Sequence, residues 1–233
     1  MARLNRLAIA GHPHLLLQQA RPDAFVLRDE EDAMALTEAL MVSVAQVPMA
    51  LHGYVLLPDR WMLLATPDAG EAVSQVMQSV GRRYVRHVNR RYGMRGGLWA
   101  SRFSSTVLDG PQWMLPCLTY MDTAPVRLGL AQISATYRYG SHRHYTGMQH
   151  DRQLVVPPEV WRLGNTPFAR EAAYAEMVRE GLTVAQVHEI EHALQHGWAL
   201  GQSAFVDQLQ LLTDRRLRPR PRGRPPRSGI GSP

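Results

Sequence analysis

The sequence contains no lysine and a single cysteine, Cys117, among its 233 residues. One cysteine can form neither an internal disulfide nor a zinc-binding pair of thiolates, so folds that depend on either are excluded. No apolar run approaches the roughly 20 residues of a membrane-spanning helix, and the N-terminus has no basic segment followed by an apolar secretory run. These absences predict a soluble, cytoplasmic protein without membrane contact, in which Cys117 is a small core residue.

Arginine supplies all 26 basic residues, and these are unevenly distributed. Residues 1–214 hold 19 arginines against 20 acidic residues, whereas residues 215–227 hold seven arginines and no acid. A basic segment attached to a nearly neutral body indicates a surface directed at a polyanion. Arginine in place of lysine favours bidentate phosphate contacts, although a GC-rich coding sequence would produce the same bias.

The order of the elements predicts an α+β fold built on a ferredoxin-like antiparallel sheet. Apolar patterns and turn residues predict strands at 12–18, 51–57, 61–65 and 103–108, of which the middle two form a hairpin. Helices are predicted from Asp29, after Gly70 and over 112–123, where Pro116 falls in the first turn or causes a kink. Strand, helix, strand, strand, helix, strand is the order of the split βαβ unit, whose two helices cover one sheet face.

This pattern divides the chain into four regions. A ferredoxin-like domain spans 1–125, with its core at about 8–125, and a turn-rich extension without clear periodicity spans 126–167. Residues 168–214 form a C-terminal helical region with helices at 168–180, 183–196 and 203–213. Residues 215–233 are rich in Arg, Pro and Gly with little to bury, so they are predicted to be a disordered tail in the absence of a partner.

The segment between Glu71 and Asp109 holds seven arginines and no acid. Three of them recur every four residues on the second helix, away from its apolar stripe, which predicts one positive ridge. The following loop interleaves arginine with aromatic residues, as in a groove for single-stranded nucleic acid. The alternative is a solvated helix face beside core aromatic residues, which would include Phe103. The predicted nucleic-acid contacts here are Arg82, Arg83, Arg86, Arg90, Arg91, Tyr92, Arg95, Trp99 and Arg102.

The basic tail is a second candidate contact with nucleic acid. Arginines on an extended chain can follow a phosphate backbone or enter a minor groove, and a solubilising role is the alternative. DNA, RNA and acidic proteins would all attract such a segment. The residues predicted to bind DNA in this region are Arg215, Arg216, Arg218, Arg220, Arg222 and Arg224.

Five segments carry a resemblance to a known family. They are YVLLPDRWMLL, QSVGRRYVRHVNRRYG, GGLWASRFSSTVLD, CLTYMDTAPVRLGL and the ending GWALGQSAF…RPRPRGRPP. In order and spacing they resemble the REP-associated tyrosine transposases, a branch of the single-tyrosine HUH transposases, over nearly the whole chain. The resemblance implies a ferredoxin-like catalytic domain that recognises hairpin-forming repeats in single-stranded DNA. It further implies that in active members two histidines bind Mg²⁺ or Mn²⁺, the metal polarises the scissile phosphate, and a helix-borne tyrosine attacks it.

The sequence departs from the family pattern at the metal site. Where the family has a His-x-His pair, this chain has Arg60 and Met62, which lie on the same face of a strand. Arginine stays protonated and repels a cation, and the methionine thioether is a soft donor unsuited to Mg²⁺ or Mn²⁺. Metal-dependent cleavage is therefore predicted to be lost, no metal ligand is assigned, and no cofactor is expected. Arg60 is counted among the DNA-binding residues.

Tyr120 has the position of the catalytic nucleophile in this resemblance, but the asparagine usual before the next proline is Ala124 here. A phenol with a pKa near 10 attacks poorly unless the phosphate opposite it is activated. Tyr120 is thus either a vestigial groove residue or the nucleophile of a rebuilt site in which Arg60 neutralises the phosphate directly.

Other histidines have spacings that a metal site could use. The pairs or triplets are His12 with His14, His142 with His144, and His188 with His192 and His196. Without an HExxH pattern this spacing is weak evidence for a metal, and surface or interhelical histidines are the alternative. His52 also occurs in active relatives by resemblance, so it does not indicate a replacement ligand.

Four hypotheses follow from the sequence. The first is a transposase-family protein that binds single-stranded or hairpin DNA without cleaving it. The second is an active tyrosine transposase or endonuclease that uses Tyr120. The third is a domesticated regulator or RNA-binding protein, and the fourth is a decayed product without function. A homodimer is one state that the resemblance allows, because relatives differ in whether they act as monomers or dimers.

Overall fold

The computed structural model describes residues 7–219. Its strands are β1 (His14–Gln19), β2 (Met49–Leu56), β3 (Arg60–Pro67) and β4 (Ser104–Val107). They form one antiparallel sheet in the order β2-β3-β1-β4. The predicted α+β fold with a ferredoxin-like antiparallel sheet is confirmed.

Two helices, α1 (Glu30–Ala45) and α2 (Ala72–Tyr92), cover one face of this sheet. Asp29 caps α1, because its carboxylate accepts the N–H of Asp32, and acidic residues fill the first turn as the helix dipole favours. The apolar stripe of α2 packs on alternate strand residues such as Leu16 and Leu63. Gly93, with a φ of 63°, ends α2 in the left-handed conformation that glycine adopts without strain.

The second face of the sheet is covered by the C-terminal half of the chain. The remaining elements are α3 (Gly110–Asp122), α4 (Ala124–Arg127), a 3₁₀ turn (Ser134–Thr136), α5 (His142–Tyr145), α6 (Pro158–Trp161), α7 (Pro167–Glu180), α8 (Val184–His196) and α9 (Ser203–Gln210). Pro116 lies inside α3, and Cys117 is buried in the core between this helix and the sheet. Among residues 7–219, no helix is both long enough and apolar enough to cross a membrane.

The packed body continues beyond Asp214. Arg215 donates from Nη2 to the carbonyl of Gly197 at 2.8 Å, and the carbonyl of Leu217 accepts the N–H of Ala199 at 3.0 Å. Leu217 is fully buried in a small cluster with Val107 of β4. Residues 215–217, which the sequence analysis assigned to the tail, therefore pack against the body. Arg220, Arg222 and Arg224 lie outside the described residues.

Candidate nucleic-acid interface

A groove of about 900 Å³ separates the middle of α2 from residues 99–103. These residues precede β4 in the chain and lie beside the C-terminal end of β1. Arg82 and Arg86 approach it from α2, and Arg102 approaches it from the opposite side. Trp99 lies in the same groove. The structure thus brings together four of the residues that the sequence predicted to bind nucleic acid.

Trp99 reaches this position because α2 has a glycine at the point of contact. A Cβ atom on Gly81 would lie 3.2 Å from the indole Nε1 of Trp99, closer than most side-chain contacts. The indole also stacks on Tyr84, with 6.4 Å between ring centroids, and meets Trp61 edge-on at 6.4 Å. Trp99 therefore packs against the core and lines the groove at once, and Phe103 is a buried core residue.

Six exposed arginines in or near α2 have no acidic partner among residues 7–219. Arg82 donates to Gln78 at 2.9 Å and Arg83 to Ser79 at 3.4 Å, whereas Arg86 donates to the backbone carbonyl of Arg82 at 3.2 Å. Within residues 7–219 no carboxylate forms a salt bridge with any of the six. The six are Arg82, Arg83, Arg86, Arg90, Arg95 and Arg102.

Arg91 and Tyr92 have a different environment, at the C-terminal end of α2. Arg91 forms ion pairs with Asp29 at 2.7 Å, Glu31 at 3.0 Å and the buried Asp32 at 2.6 Å, all on or beside the first turn of α1. Its guanidinium lowers the pKa of Asp29 to about 2. The hydroxyl of Tyr92 donates to Asp32 at 2.7 Å. The guanidinium of Arg91 and the hydroxyl of Tyr92 thus stabilise the contact between α2 and α1. Their contact with nucleic acid stays a prediction.

The arginines after α9 also differ from one another. Arg215 is half-buried against Gly197, and burial lowers the pKa of its guanidinium. Arg218 forms an exposed ion pair with Asp207 at 2.9 Å. Arg216 is partly exposed and forms no salt bridge within the described part of the chain. The contact of this segment with DNA stays a prediction.

The positions of the family's histidine pair lie on the sheet face opposite the groove. Met62 is buried in the core beneath α3, two residues along β3 from Arg60. The guanidinium of Arg60 donates from Nη2 to Asp59 at 2.6 Å, and this hydrogen bond raises its pKa further. A protonated guanidinium and a buried thioether do not fit a hard divalent cation.

Tyr120 lies close enough to Arg60 for the two groups to interact electrostatically. Its hydroxyl is 3.4 Å from Oε1 of Glu191 in α8, and the guanidinium carbon of Arg127 lies 4.2 Å from its ring centroid. Burial raises the pKa of Tyr120, and the negative charge of Glu191 adds to the effect. The phenol is therefore harder to ionise than a free tyrosine, which disfavours nucleophilic attack.

The sequence did not predict Arg127 and Glu191 as members of this site. Arg127 follows Tyr120 by seven residues, but α3 ends at Asp122 and Arg127 lies in the separate helix α4, so no continuous helical periodicity links the two. Glu191 is 71 residues from Tyr120. Only the packing of α8 against α3 brings this acid to the phenol.

The histidines with metal-like spacing are engaged in other contacts. His52 contacts the carbonyl of Val155 at 2.7 Å and the hydroxyl of Thr66 at 2.8 Å. His142 contacts the buried carboxylate of Asp122 at 2.9 Å. The rings of His188, His192 and His196 form a column along α8. Among residues 7–219, no group of three or more His, Cys, Asp or Glu side chains has the geometry of a metal site.

Comparison with known proteins identifies the fold. No protein-family model and no curated protein matches the chain. It is similar to the solved structure of a REP-associated tyrosine transposase bound to a REP hairpin, with a TM-score of 0.54 and 14% identity over 68% of this chain and 93% of that chain.

Two further similarities are weaker. One is to a protein described as a transposase of Deinococcus radiodurans R1, with a TM-score of 0.35 and 21% identity over 49% of this chain and 89% of that chain. The other is to a bacterial tRNA(His) guanylyltransferase-like protein in complex with ATP, with a TM-score of 0.38 and 12% identity over 57% of this chain and 66% of that chain. Both TM-scores are too low to carry an argument. The chain shares the fold of the REP-associated tyrosine transposase.

Proposed function

We propose that this protein binds single-stranded or hairpin DNA as a transposase-type protein that has lost metal-dependent cleavage. The observation that carries the proposal is the group of six exposed arginines in or near α2, three of which line the groove, that have no acidic partner in the described part of the chain. Unpaired guanidinium groups are free to replace the counterions of a phosphate backbone. The shared fold with a transposase bound to a REP hairpin favours a hairpin as the ligand.

The proposed loss of cleavage rests on Arg60 and Met62. A metal would have to displace the guanidinium of Arg60 from Asp59 and reach the thioether of Met62, which is only 2% exposed. The positive charge of Arg60 would oppose its approach. Without a metal, Tyr120 retains a raised pKa in a mostly buried position. The proposal thus combines the pairing and charge of Arg60, the burial of Met62 and the raised pKa of Tyr120. Together they remove the usual means of activating the phosphate and the nucleophile.

A second candidate function is cleavage by a rebuilt site. Arg127 lies over the ring of Tyr120, and Arg60 is near enough to interact electrostatically with the phenol. Two guanidinium groups could neutralise a phosphate placed between them and stabilise the charge of the transition state. The Tyr120 oxygen would attack the phosphorus, the phenol proton would pass to Glu191, and the P–O bond that breaks would leave a free hydroxyl on the released strand. DNA would then be linked covalently to Tyr120 without a bound metal.

One experiment separates these functions. A labelled DNA hairpin with a single-stranded 5′ extension is incubated with the protein, with and without Mn²⁺, and analysed on native and denaturing gels. We expect a shift on the native gel without metal and no covalent adduct on the denaturing gel. Restoration of cleavage by Arg60→His together with Met62→His would support descent from a metal-dependent enzyme.

The arginines are tested in the same assay. Removal of two phosphate contacts in Arg82→Gln/Arg86→Gln should weaken binding about tenfold at moderate salt. The control variant Arg152→Gln/Arg162→Gln removes the same charge from exposed positions in the extension and should have a much smaller effect.

Three results would contradict the proposal. An adduct that disappears in Tyr120→Phe would establish cleavage, and its formation without Mn²⁺ would support the rebuilt site. Tighter binding of an RNA hairpin of the same sequence would favour the regulator or RNA-binding hypothesis. No shift of either nucleic acid at low salt would exclude the nucleic-acid function.

A further inference from the structure

Gln18 occupies an unusual position at the bottom of the groove. It is only 6% exposed, yet it lines the groove beside α2. Its Nε2 atom donates to the carbonyl of Ser101 at 3.0 Å and, more weakly, to that of Gln19 at 3.4 Å. No group within residues 7–219 donates to its carbonyl oxygen, Oε1. Because Oε1 has no donor in this part of the protein and stays accessible from the groove, a ligand that enters the groove can supply one.

The surface around Gln18 suits a flat aromatic ligand. Met77 and Val85 of α2 lie on one side of the groove, and Trp99 and Phe103 lie on the other. Trp99 is held in place by Tyr84 and Trp61, so its ring is oriented before a ligand arrives. A preformed apolar groove with one polar anchor is the usual arrangement of a small-ligand site.

The charged side chains that line the rim of the groove in the described part of the chain are all arginines, so the rim is positive. Arg82 and Arg86 lie on the α2 side, and Arg102 lies on the other. Among residues 7–219, no acidic side chain lines the groove. A ligand with an aromatic ring at the bottom and negative charge at the rim has the chemistry of a nucleotide.

We infer that this groove takes one unstacked base of the bound strand, whose exocyclic amine donates to Oε1 of Gln18. The ring then contacts Trp99, and the flanking phosphates pair with the rim arginines. Adenine, cytosine and guanine carry such an amine. Thymine has only its ring N3–H as a donor, and the two carbonyl oxygens beside that N–H would repel Oε1, so the site discriminates against thymine. The inference rests on the proposed DNA binding and adds a base-specific site to it.

The test uses the DNA hairpin with a single-stranded extension of about ten nucleotides, within the range that one binding domain covers. The fluorescent base 2-aminopurine, which has an exocyclic amine, replaces each unpaired base in turn. We expect a change of fluorescence on binding that is confined to one position. An abasic site there should weaken binding about tenfold or more, since stacking is lost. Thymine there should weaken binding about threefold to tenfold, since one hydrogen bond is lost.

Gln18→Leu tests the protein side of the contact, with Gln19→Leu as the matched control. The two glutamines are adjacent in β1 and therefore point to opposite faces of the sheet. Gln18→Leu should weaken binding about threefold to tenfold and abolish the discrimination against thymine. Gln19→Leu should preserve the discrimination. Because Gln18→Leu also removes the bond to Ser101, its folding is checked by thermal unfolding, and the abasic scan tests the site with the unaltered protein.

The outcomes separate this inference from the proposed function. DNA binding that depends on Arg82 and Arg86 but is insensitive to every abasic or 2-aminopurine position would overturn the base site and leave the proposed function standing. A responsive position whose base preference persists in Gln18→Leu would overturn the role of Gln18. Absence of any DNA binding would overturn both.

Discussion

His14 lies in β1 with no exposed surface, and the backbone uses both of its ring nitrogens. Nε2 is 3.1 Å from the N–H of Ile9, and Nδ1 is 2.7 Å from the carbonyl of His12. Since Nε2 must accept and Nδ1 must donate, these contacts require the neutral ring with its proton on Nδ1. Burial lowers the pKa of His14 to about 4. The His12 and His14 pair, which has the spacing of a metal site, therefore includes a residue with a structural role.

This lowered pKa predicts a loss of stability in acid. The unfolded chain binds a proton at His14 below pH 6.5, whereas the folded chain does so only below about pH 4. The free energy of unfolding should therefore fall as the pH decreases from 6.5 to 4, by roughly 3 kcal/mol from this residue. Urea unfolding at several pH values would measure the fall. His14→Gln should reduce the pH dependence more than the control His188→Gln, which removes an exposed histidine of α8. An unaltered pH dependence in His14→Gln would contradict this assignment.

Between elements, the joint of α1 and α2 is centred on the carboxylate of Asp32. It accepts hydrogen bonds from the hydroxyl of Tyr92, the N–H of Arg28 and the guanidinium of Arg91, and His87 lies 3.1 Å away. Burial opposes its ionisation, but these contacts outweigh burial and hold its pKa below the ordinary value. The joint fixes the end of the helix that carries the arginine ridge.

We predict that Asp32→Asn destabilises the protein by about 2 kcal/mol, because several hydrogen bonds to a charged group are weakened or lost. Asp23→Asn is the matched control, since Asp23 forms only an exposed ion pair with Arg21 at 3.4 Å. It should cost less than about 1 kcal/mol. Chemical denaturation of both variants would compare the two losses. Equal, small losses would show that the joint contributes little to stability.

The elements were predictable to different degrees. The apolar stripe of α2 and the acidic start of α1 are local patterns, so the sequence placed both helices closely. The extension of residues 126–167 was not resolved into elements, because its short helices depend on distant contacts such as the bridge between Val55 and Gly140. The partners of Arg91 were missed for the same reason, since they lie about 60 residues earlier in the chain.

In the molecule as a whole, the two candidate sites, the groove beside α2 and the surroundings of Tyr120, lie on opposite faces of one sheet. Trp61 and Met62 are neighbours in β3, and they belong to the cores of the groove face and the Tyr120 face respectively. The order of the strands predicted the sheet, and the alternation of side chains along β3 correctly placed Arg60 and Met62 together. The groove around Gln18 was not predictable, because a single polar residue in an otherwise apolar strand has no pattern that shows what it faces.

The distribution of charge over the whole chain predicts how DNA binding depends on salt. The logarithm of the affinity should decrease linearly with the logarithm of the salt concentration. Truncation after Pro219 removes four arginines, at 220, 222, 224 and 227, without disturbing the buried Leu217. If all four contact phosphates of a single strand, the slope should fall by about 3, at roughly 0.7 per contact.

Truncation after Asp214 is the informative comparison, because it removes Leu217 and Arg215 as well. That variant should lose thermal stability, whereas truncation after Pro219 should not, since Leu217 fills the cluster beside β4. A salt titration of both truncated proteins and the full chain would separate charge from packing. An unchanged slope after removal of the four arginines would exclude the tail from the interface and assign the phosphate contacts to the ridge of α2.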